Sequence, residues 1–307
     1  MSRIHEALKK AEQERAAIQR GGEQPGFNKT PVADVLEEMP ARAGAPAAAG
    51  YPSVPGFPTS ISVDTLLARA AQLEWKPDMA TMLFLQSDDS ARGTEEFRTL
   101  RSRLSQLREK MPLKTLLVTS ALPKEGKSFT ASNLAQVMVR QHGRRALLID
   151  GDLRAPRLHV MLGTTSEPGL SDYLLGNNDE FSVMQRGPLK NLFFIPSGTG
   201  VKDPAELIGN GRLKLLLQRV EPLFDWVIID SPPAVPVSDA SVLANACDGV
   251  LMVVRSNATP FDVARKARQE FPDQALVGVV LNGTRDDMPY ARYYYESYQK
   301  KAITTKA

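Results

Sequence analysis

Six short apolar segments constrain the fold of this chain more than any other feature. Their hydrophobic residues follow one another without polar alternation, which is typical of strands buried on both faces. The stretches between them have helical periodicity or begin with helix-start residues. This alternation predicts an α/β, doubly wound, mainly parallel sheet with helices on both faces. The segments are TLLVTS (115–120), ALLID (146–150), LFFIPSG (192–198), WVIID (226–230), GVLMVVR (249–255) and LVGVVLN (276–282).

The composition of the chain excludes several classes of protein. Its 307 residues are 42% hydrophobic, which is ample for a core, and the net charge is only +3. The basic residues are spread along the sequence, so no nucleic-acid partner is expected. One cysteine, Cys247, excludes an internal disulfide, and three scattered histidines lack metal-ligand spacing. No apolar segment approaches the roughly 20 residues that span a bilayer, so we expect a cytoplasmic protein.

Composition also divides the chain into four regions. Residues 1–20 are predicted to form a charged helix, which is either solvated or docks on a partner. Residues 21–60 are rich in Pro, Gly and Ala and lack apolar periodicity, which predicts a disordered linker. The α/β domain is expected over residues 61–288, and residues 289–307 form a tyrosine-rich C-terminal tail.

A candidate phosphate-binding loop follows the first apolar segment. The stretch ALPKEGKS (121–128) approximates the pattern GxxxxGK[ST], except that Ala121 replaces the first glycine. In such a loop, backbone N–H groups and a helix N-terminus face phosphate. Lys127 would contact the β and γ phosphates, and the Ser128 hydroxyl would bind Mg²⁺. The nucleotide-binding residues predicted in this stretch are Lys124, Glu125, Gly126, Lys127, Ser128 and Phe129.

Three aspartates lie at the carboxyl ends of predicted strands. Asp150 and Asp152 follow the second apolar segment, and Asp230 ends the fourth. Ligands of such sheets bind at this edge, and Mg²⁺ needs only a few carboxylates because it keeps several waters. The three carboxylates therefore predict a magnesium site next to the phosphate loop, and the chemistry that it suggests is phosphoryl transfer.

The three motifs together resemble a known family. The stretches LPKEGKS, LLIDGDLRAP and VIIDSPP are similar to the Walker A, Walker A′ and Walker B motifs of bacterial tyrosine kinases. These kinases govern capsule and exopolysaccharide synthesis. The resemblance covers about residues 90 to 300, and it implies the P-loop NTPase fold of the Min and Par partitioning ATPases.

The resemblance implies a role for each motif residue. Lys127 and Ser128 would hold ATP and Mg²⁺, and Asp150 would be the base for the incoming hydroxyl group. Asn282 falls where relatives of this fold place an adenine-reading residue. The implied catalytic residues are Lys127, Asp150 and Asp152. The implied metal-binding residues are Ser128, Asp150, Asp152 and Asp230.

One departure separates the chain from the partitioning ATPases. Those proteins carry a signature lysine five residues before the loop lysine, where this chain has Leu122. Lys124 is close by but out of register. This departure disfavours the alternative function, a partitioning or positioning ATPase that acts as a nucleotide switch.

The segment GTEEFRTLRSRLSQL (93–107) is predicted to form an amphipathic helix before the first long strand. Thr94 can cap this helix, and Phe97 lies on its apolar face. Its charged face carries Glu95, Arg98 and Arg101, which read as ExxRxxR. On pattern alone these charges are solvated, but they resemble the self-association motif of the same kinases. That resemblance implies a ring-like homo-oligomer.

Five of the seven tyrosines crowd the tail, in the stretch PYARYYYESYQKKA (289–302). A docked helix would place Tyr290, Tyr294 and Tyr298 on one stripe and leave Tyr293 and Tyr295 outside it. One helix face therefore explains only part of the cluster, whereas phosphate acceptors need only reach. The cluster also matches the tail of the kinase family, so we interpret all five as phosphoacceptors. A transient helix before modification remains a second possibility.

The resemblance thus implies an ATP-dependent protein-tyrosine autokinase that phosphorylates its own tail in trans. It would regulate the polymerisation or export of a capsule or exopolysaccharide. The expected partners are a second copy, the cytosolic segment of a membrane chain-length regulator and a phosphotyrosine phosphatase. The kinase would be cytoplasmic and peripheral to the inner face of the plasma membrane through its partner.

Overall fold

A computed structural model describes residues 62–85 and 93–284 of the chain. The predicted N-terminal helix (1–20), the linker region (21–60) and the tyrosine-rich tail (289–307) therefore lie outside the described residues.

Strands occupy the six segments that the apolar pattern predicts, and two further strands have two residues each. They are β1 (Ala71–Gln72), β2 (Thr115–Ser120), β3 (Ala146–Asp150), β4 (Gln185–Arg186), β5 (Leu192–Ile195), β6 (Trp226–Asp230), β7 (Gly249–Arg255) and β8 (Leu276–Asn282). Within the described residues they form one sheet in the order β1-β4-β5-β3-β6-β2-β7-β8. The six longer strands run parallel, and β4 is antiparallel to β5.

Helices cover both faces of this sheet. They are α1 (Val63–Arg69), α2 (Thr94–Arg108), α3 (Lys127–Val139), α4 (Leu158–Leu162), α5 (Leu170–Leu175), α6 (Pro204–Gly209), α7 (Arg212–Val220), α8 (Asp239–Ala244) and α9 (Phe261–Gln269). The predicted doubly wound α/β fold is confirmed.

Two hydrophobic clusters show why the strands lack polar alternation. Side chains such as Leu117 and Ile149 pack with α1 and with α5 to α9, whereas their neighbours Leu116 and Leu148 pack with α2, α3 and α4. All four side chains are fully buried. Because each of the six longer strands contributes to both clusters, both of its faces must be apolar.

Helix α2 has the predicted amphipathic character, but its first residue differs from the prediction. Phe97 and Leu104 are buried, as the apolar stripe requires. The prediction that Thr94 caps the helix is wrong: Gly93 is the N-cap, with φ of 97°, and Thr94 is the first helical residue. Glycine reaches this left-handed conformation without the Cβ clash that other residues incur.

In residues 62–85 and 93–284, no helix is both long enough and apolar enough to cross a membrane.

Candidate active site

The predicted phosphate loop connects β2 to α3 at the carboxyl edge of the sheet. Lys127 is the first residue of α3, as predicted, and Gly126 precedes it with φ of 99°. Lys124 is also left-handed, with φ of 65°. A backbone that alternates in this way turns its N–H groups towards a common point, where an anion can bind. The geometry therefore suits phosphate despite Ala121 at the first glycine position.

Side chains from β8 and from the β7–α9 connection hold the loop. The Asn282 amide donates to the Glu125 carbonyl at 2.9 Å, and the Arg255 guanidinium donates to the Lys124 carbonyl at 3.0 Å. The Thr259 hydroxyl donates to the Glu125 carboxylate. Neither Arg255 nor Thr259 was expected from the sequence, because both lie more than a hundred residues from the loop and no motif marks them.

Strand order brings the three predicted aspartates together. Strand β6 lies between β2 and β3, and Asp150 is directly opposite Asp230 in the β3–β6 pair. Both carboxylates are fully buried, and Asp152 is 3% exposed. The Lys127 ammonium lies 2.8 Å from an Asp152 carboxylate oxygen and 3.8 Å from one of Asp230. The Ser128 hydroxyl donates to Asp230. Residues from three separate motifs therefore form one buried cluster.

Burial and charge shift the pKa values in this cluster. Burial alone would lower the pKa of Lys127, but the charges of Asp230 and Asp152 outweigh it, so its pKa lies above the ordinary value. Burial and the charge of Asp230 raise the pKa of Asp150 to about 8. Burial also raises the pKa of Asp230, to about 6, although Lys127 and the Ser128 hydroxyl oppose this shift. The Lys127 ammonium therefore stays charged, whereas the carboxylates of Asp150 and Asp230 bind protons more readily than an ordinary aspartate does.

The cluster fits a magnesium ion that is bound mainly through water and phosphate. Among the residues that the structure describes, one carboxylate oxygen of Asp230, Oδ1, is buried and has no hydrogen-bond partner. In the part of the chain that the structure describes, no three Asp, Glu, His or Cys side chains converge enough to hold a metal by themselves. Mg²⁺ keeps several waters and usually takes one or two carboxylates together with substrate phosphates. An unpaired carboxylate oxygen beside a serine hydroxyl meets that need.

A groove of about 610 Å³ lies between α2, the start of α3 and strand β8. Phe129 and Asn282, both predicted to bind nucleotide, line it together with Gly283 and Thr284. Glu95 of α2 also lines it. The groove lies next to the phosphate loop, because Asn282 also contacts the Glu125 carbonyl, and its volume is typical of a small-molecule pocket.

The charged residues of the ExxRxxR motif differ in their surroundings. Glu95 and Arg98 form an ion pair on the surface of α2. Arg101, which is half-buried, donates to the Val137 carbonyl in α3 at 3.0 Å. Part of the motif therefore fixes α2 to the helix that carries the phosphate loop.

Sequence reasoning missed an ion pair beside the aspartates. Arg154 follows Asp152 by two residues, and its guanidinium donates two hydrogen bonds to Asp239 in α8, at 2.8 and 2.9 Å. Asp239 is fully buried. A charged residue two positions after the DGD stretch was a visible signal for Arg154, whereas its partner lies 85 residues further along the chain.

Comparison with known proteins gives the family of the chain. A family model described as an AAA domain matches residues 124–262. The chain is 33% identical over 209 residues to the tyrosine-protein kinase YwqD of Bacillus subtilis (strain 168), and the match covers 67% of this chain and 88% of YwqD.

Two solved structures are similar over most of the described residues. The chimerical protein CapA2B2 has a TM-score of 0.63 and 28% identity, and the match covers 73% of this chain and 98% of that one. The kinase domain of the Escherichia coli tyrosine kinase ETK has a TM-score of 0.61 and 31% identity, covering 66% of this chain and 81% of that one. The nucleotide-binding fold of this chain and its likeness to YwqD place it in the family of bacterial tyrosine-protein kinases.

Proposed function

We propose that the chain is an ATP-dependent protein-tyrosine autokinase that phosphorylates its own C-terminal tyrosine cluster in trans. One observation carries the proposal: the phosphate loop and three carboxylates from two further motifs meet at the carboxyl ends of β2, β3 and β6. Membership of a tyrosine kinase family supports tyrosine as the acceptor. The candidate phosphoacceptors are Tyr290, Tyr293, Tyr294, Tyr295 and Tyr298.

The loop residues would position the phosphates of ATP. Backbone N–H groups around Gly126 and the N-terminus of α3 would bind the β and γ phosphates. Lys127 would exchange its contact with Asp152 for the phosphates, which carry more negative charge. Ser128 and Asp230, with Asp152, would hold Mg²⁺ and its waters. When bound, the ion neutralises the charge that develops on the phosphate oxygens.

Asp150 would act as the general base. The tyrosine hydroxyl oxygen would form a bond to the γ-phosphorus, the bond to the bridging oxygen of ADP would break, and the hydroxyl proton would move to the Asp150 carboxylate. The buried site raises the pKa of Asp150 to about 8. A base is most effective when its pKa lies near the working pH, because it then binds a proton well and is still partly ionised.

Transfer in trans would bring the tail of one copy to the site of another. The ExxRxxR helix would supply the contact between copies in a ring-like homo-oligomer. Glu95 of that helix also lines the groove next to the phosphate loop. Assembly and nucleotide binding would therefore act on neighbouring surfaces of one helix.

In the cell, the kinase would regulate the polymerisation or export of a capsule or exopolysaccharide. Its activator would be the cytosolic segment of a membrane chain-length regulator, which would hold the kinase at the inner face of the plasma membrane. A phosphotyrosine phosphatase would reverse the modification. Asn282 and Phe129 would contact the nucleoside part of ATP in the groove.

Mapping the labelled phosphate tests the proposal. The purified full chain is incubated with γ-labelled ATP and Mg²⁺, with and without the cytosolic segment of a chain-length regulator. We expect label on the tail tyrosines, and none after Lys127→Met or after all five tail tyrosines are changed to Phe. Hydrolysis of ATP with unlabelled tyrosines in the presence of the activator would instead support the nucleotide switch.

A further inference from the structure

Two residues of the phosphate loop adopt a conformation that needs support from outside the loop. Lys124 and Gly126 are both left-handed, with φ of 65° and 99°. The lysine is not a glycine, so its Cβ crowds the backbone in this region. Such conformations persist where the surrounding structure enforces them, and they cluster at functional sites.

The support comes from the ends of β7 and β8. Arg255, the last residue of β7, donates to the Lys124 carbonyl at 3.0 Å. Asn282, the last residue of β8, donates to the Glu125 carbonyl at 2.9 Å. Two consecutive loop carbonyls are therefore bound on the side of the loop that faces these strands. The left-handed turn at Lys124 is fixed by contacts distant in sequence.

The Glu125 side chain forms a second link. It is 3% exposed, and its carboxylate accepts hydrogen bonds from the Leu122 N–H at 2.9 Å and from the Thr259 hydroxyl. The Thr259 hydroxyl oxygen in turn accepts from the Arg255 N–H at 3.1 Å. Glu125 thus closes the loop on itself and ties it to the β7–α9 connection.

These contacts leave the phosphate side of the loop open. Among the described residues, the first N–H of α3 with a bonded carbonyl is that of Thr130, which donates to Gly126 at 2.8 Å. The amide groups before it are the unpaired donors that an anion requires. The close fit extends to Gly126, where an added Cβ would lie 2.0 Å from the Asn282 amide nitrogen.

We propose that Glu125, Arg255, Thr259 and Asn282 form a brace that holds the phosphate loop in its anion-binding shape before nucleotide arrives. They are positioning residues, because they act on phosphate through the loop backbone. The proposal rests on the proposed nucleotide binding and adds residues to it. A loop that is already ordered loses less entropy on binding, so removal of one brace contact should weaken nucleotide binding.

Thr259 provides the cleanest test because, among the described residues, its side chain bonds to the loop through Glu125. In the full chain, Thr259→Val should weaken Mg²⁺-ADP binding about tenfold, which corresponds to about 1.4 kcal/mol. The KM for ATP should rise by a similar factor while kcat at saturating ATP changes less than about twofold. Thr259→Ser, which restores the hydroxyl, should restore binding.

A matched control separates positioning from general stability. Thr164 is also half-buried, and its hydroxyl donates to the Gln185 side chain at 2.7 Å, away from the phosphate loop. Thr164→Val should lower the thermal midpoint without changing ADP binding. If Thr259→Val behaves like Thr164→Val, the brace is refuted. If the unmodified chain fails to bind ADP, the proposed nucleotide binding itself is refuted.

Asn282 needs a different probe, because it was also predicted to read adenine. Pyrophosphate has the phosphates of the nucleotide but no base. The brace predicts that Asn282→Ala weakens pyrophosphate binding about tenfold, in competition against a fluorescent ADP analogue, and ADP binding by at least as much. Unchanged pyrophosphate binding with weakened ADP binding would assign Asn282 to the base and remove it from the brace.

Discussion

Replacement of Lys127 by Met should destabilise the nucleotide-free protein, and the loss should depend on pH. The ammonium lies 2.8 Å from Asp152 and 3.8 Å from Asp230, and its side chain is 10% exposed. Removal of one partner from a buried ion pair leaves an uncompensated charge, which costs about 3 to 5 kcal/mol. At about pH 8 we therefore expect a loss of about 3 kcal/mol. For a domain of this size that loss lowers the midpoint by roughly 6 to 12 °C.

The pH dependence follows from the direction of the pKa shifts. Burial raises the folded-state pKa of Asp150 to about 8 and that of Asp230 to about 6, whereas an unfolded aspartate titrates near about 4. The folded state binds more protons in this interval, so stability falls as the pH rises from about 4 to about 8. Lys127 opposes that fall by lowering the pKa of Asp230. Its removal should therefore cost about half as much at about pH 5.5, where Asp230 is largely protonated.

Denaturant unfolding in the presence of a chelator measures this effect. The unmodified chain, Lys127→Met and the control Lys190→Met are compared at several pH values between about 5.5 and 8.5. Lys190 is exposed, so its replacement should change the free energy of unfolding by less than about 0.5 kcal/mol at every pH. A Lys127→Met loss that is the same at all pH values, or no loss, would refute the account of the buried cluster.

Three further predictions concern binding and assembly. Gly126→Ala should weaken ADP binding by at least about tenfold in titration calorimetry, because alanine disfavours the left-handed turn and its Cβ would displace Asn282. An unchanged affinity for ADP would contradict this prediction. Binding of Mg²⁺ together with ADP should release protons below about pH 8. The affinity for Mg²⁺-ADP should rise between about pH 6 and pH 8 as Asp150 ionises, and an affinity that is constant over this range would contradict the raised pKa of Asp150. Arg98→Ala should lower the oligomer mass in light scattering, whereas the exposed control Lys110→Ala should not.

Local sequence patterns predicted the main strands and the position of the candidate phosphate loop between β2 and α3. The six apolar segments became six neighbouring parallel strands because burial on both faces leaves a local signature in each segment. The strands β1 and β4 could not be predicted, since two residues are too few to show a period. The N-cap of α2 is Gly93, one residue before the predicted Thr94. Its backbone is left-handed, a conformation that glycine adopts more readily than threonine.

The parts of the site that depend on distant contacts could not be predicted. The chain separation between Asn282 and Glu125 is 157 residues, and that between Arg255 and Lys124 is 131. Strand order alone brings these residues together, and no motif in the sequence encodes that order. The raised pKa values of Asp150 and Asp230 likewise follow from complete burial of two opposed carboxylates, which spacing along the chain does not show.

One complementation experiment tests the central claim most directly. A Lys127→Met chain with an intact tail is mixed with a chain that retains Lys127 but has all five tail tyrosines changed to Phe. Labelled ATP, Mg²⁺ and the activating segment are then added under conditions where both chains are folded. Phosphorylation in trans predicts labelled tyrosines on the Lys127→Met chain in the mixture and no label on either chain alone. Absence of label from the mixture, with the unmodified chain labelled in parallel, would contradict transfer between copies.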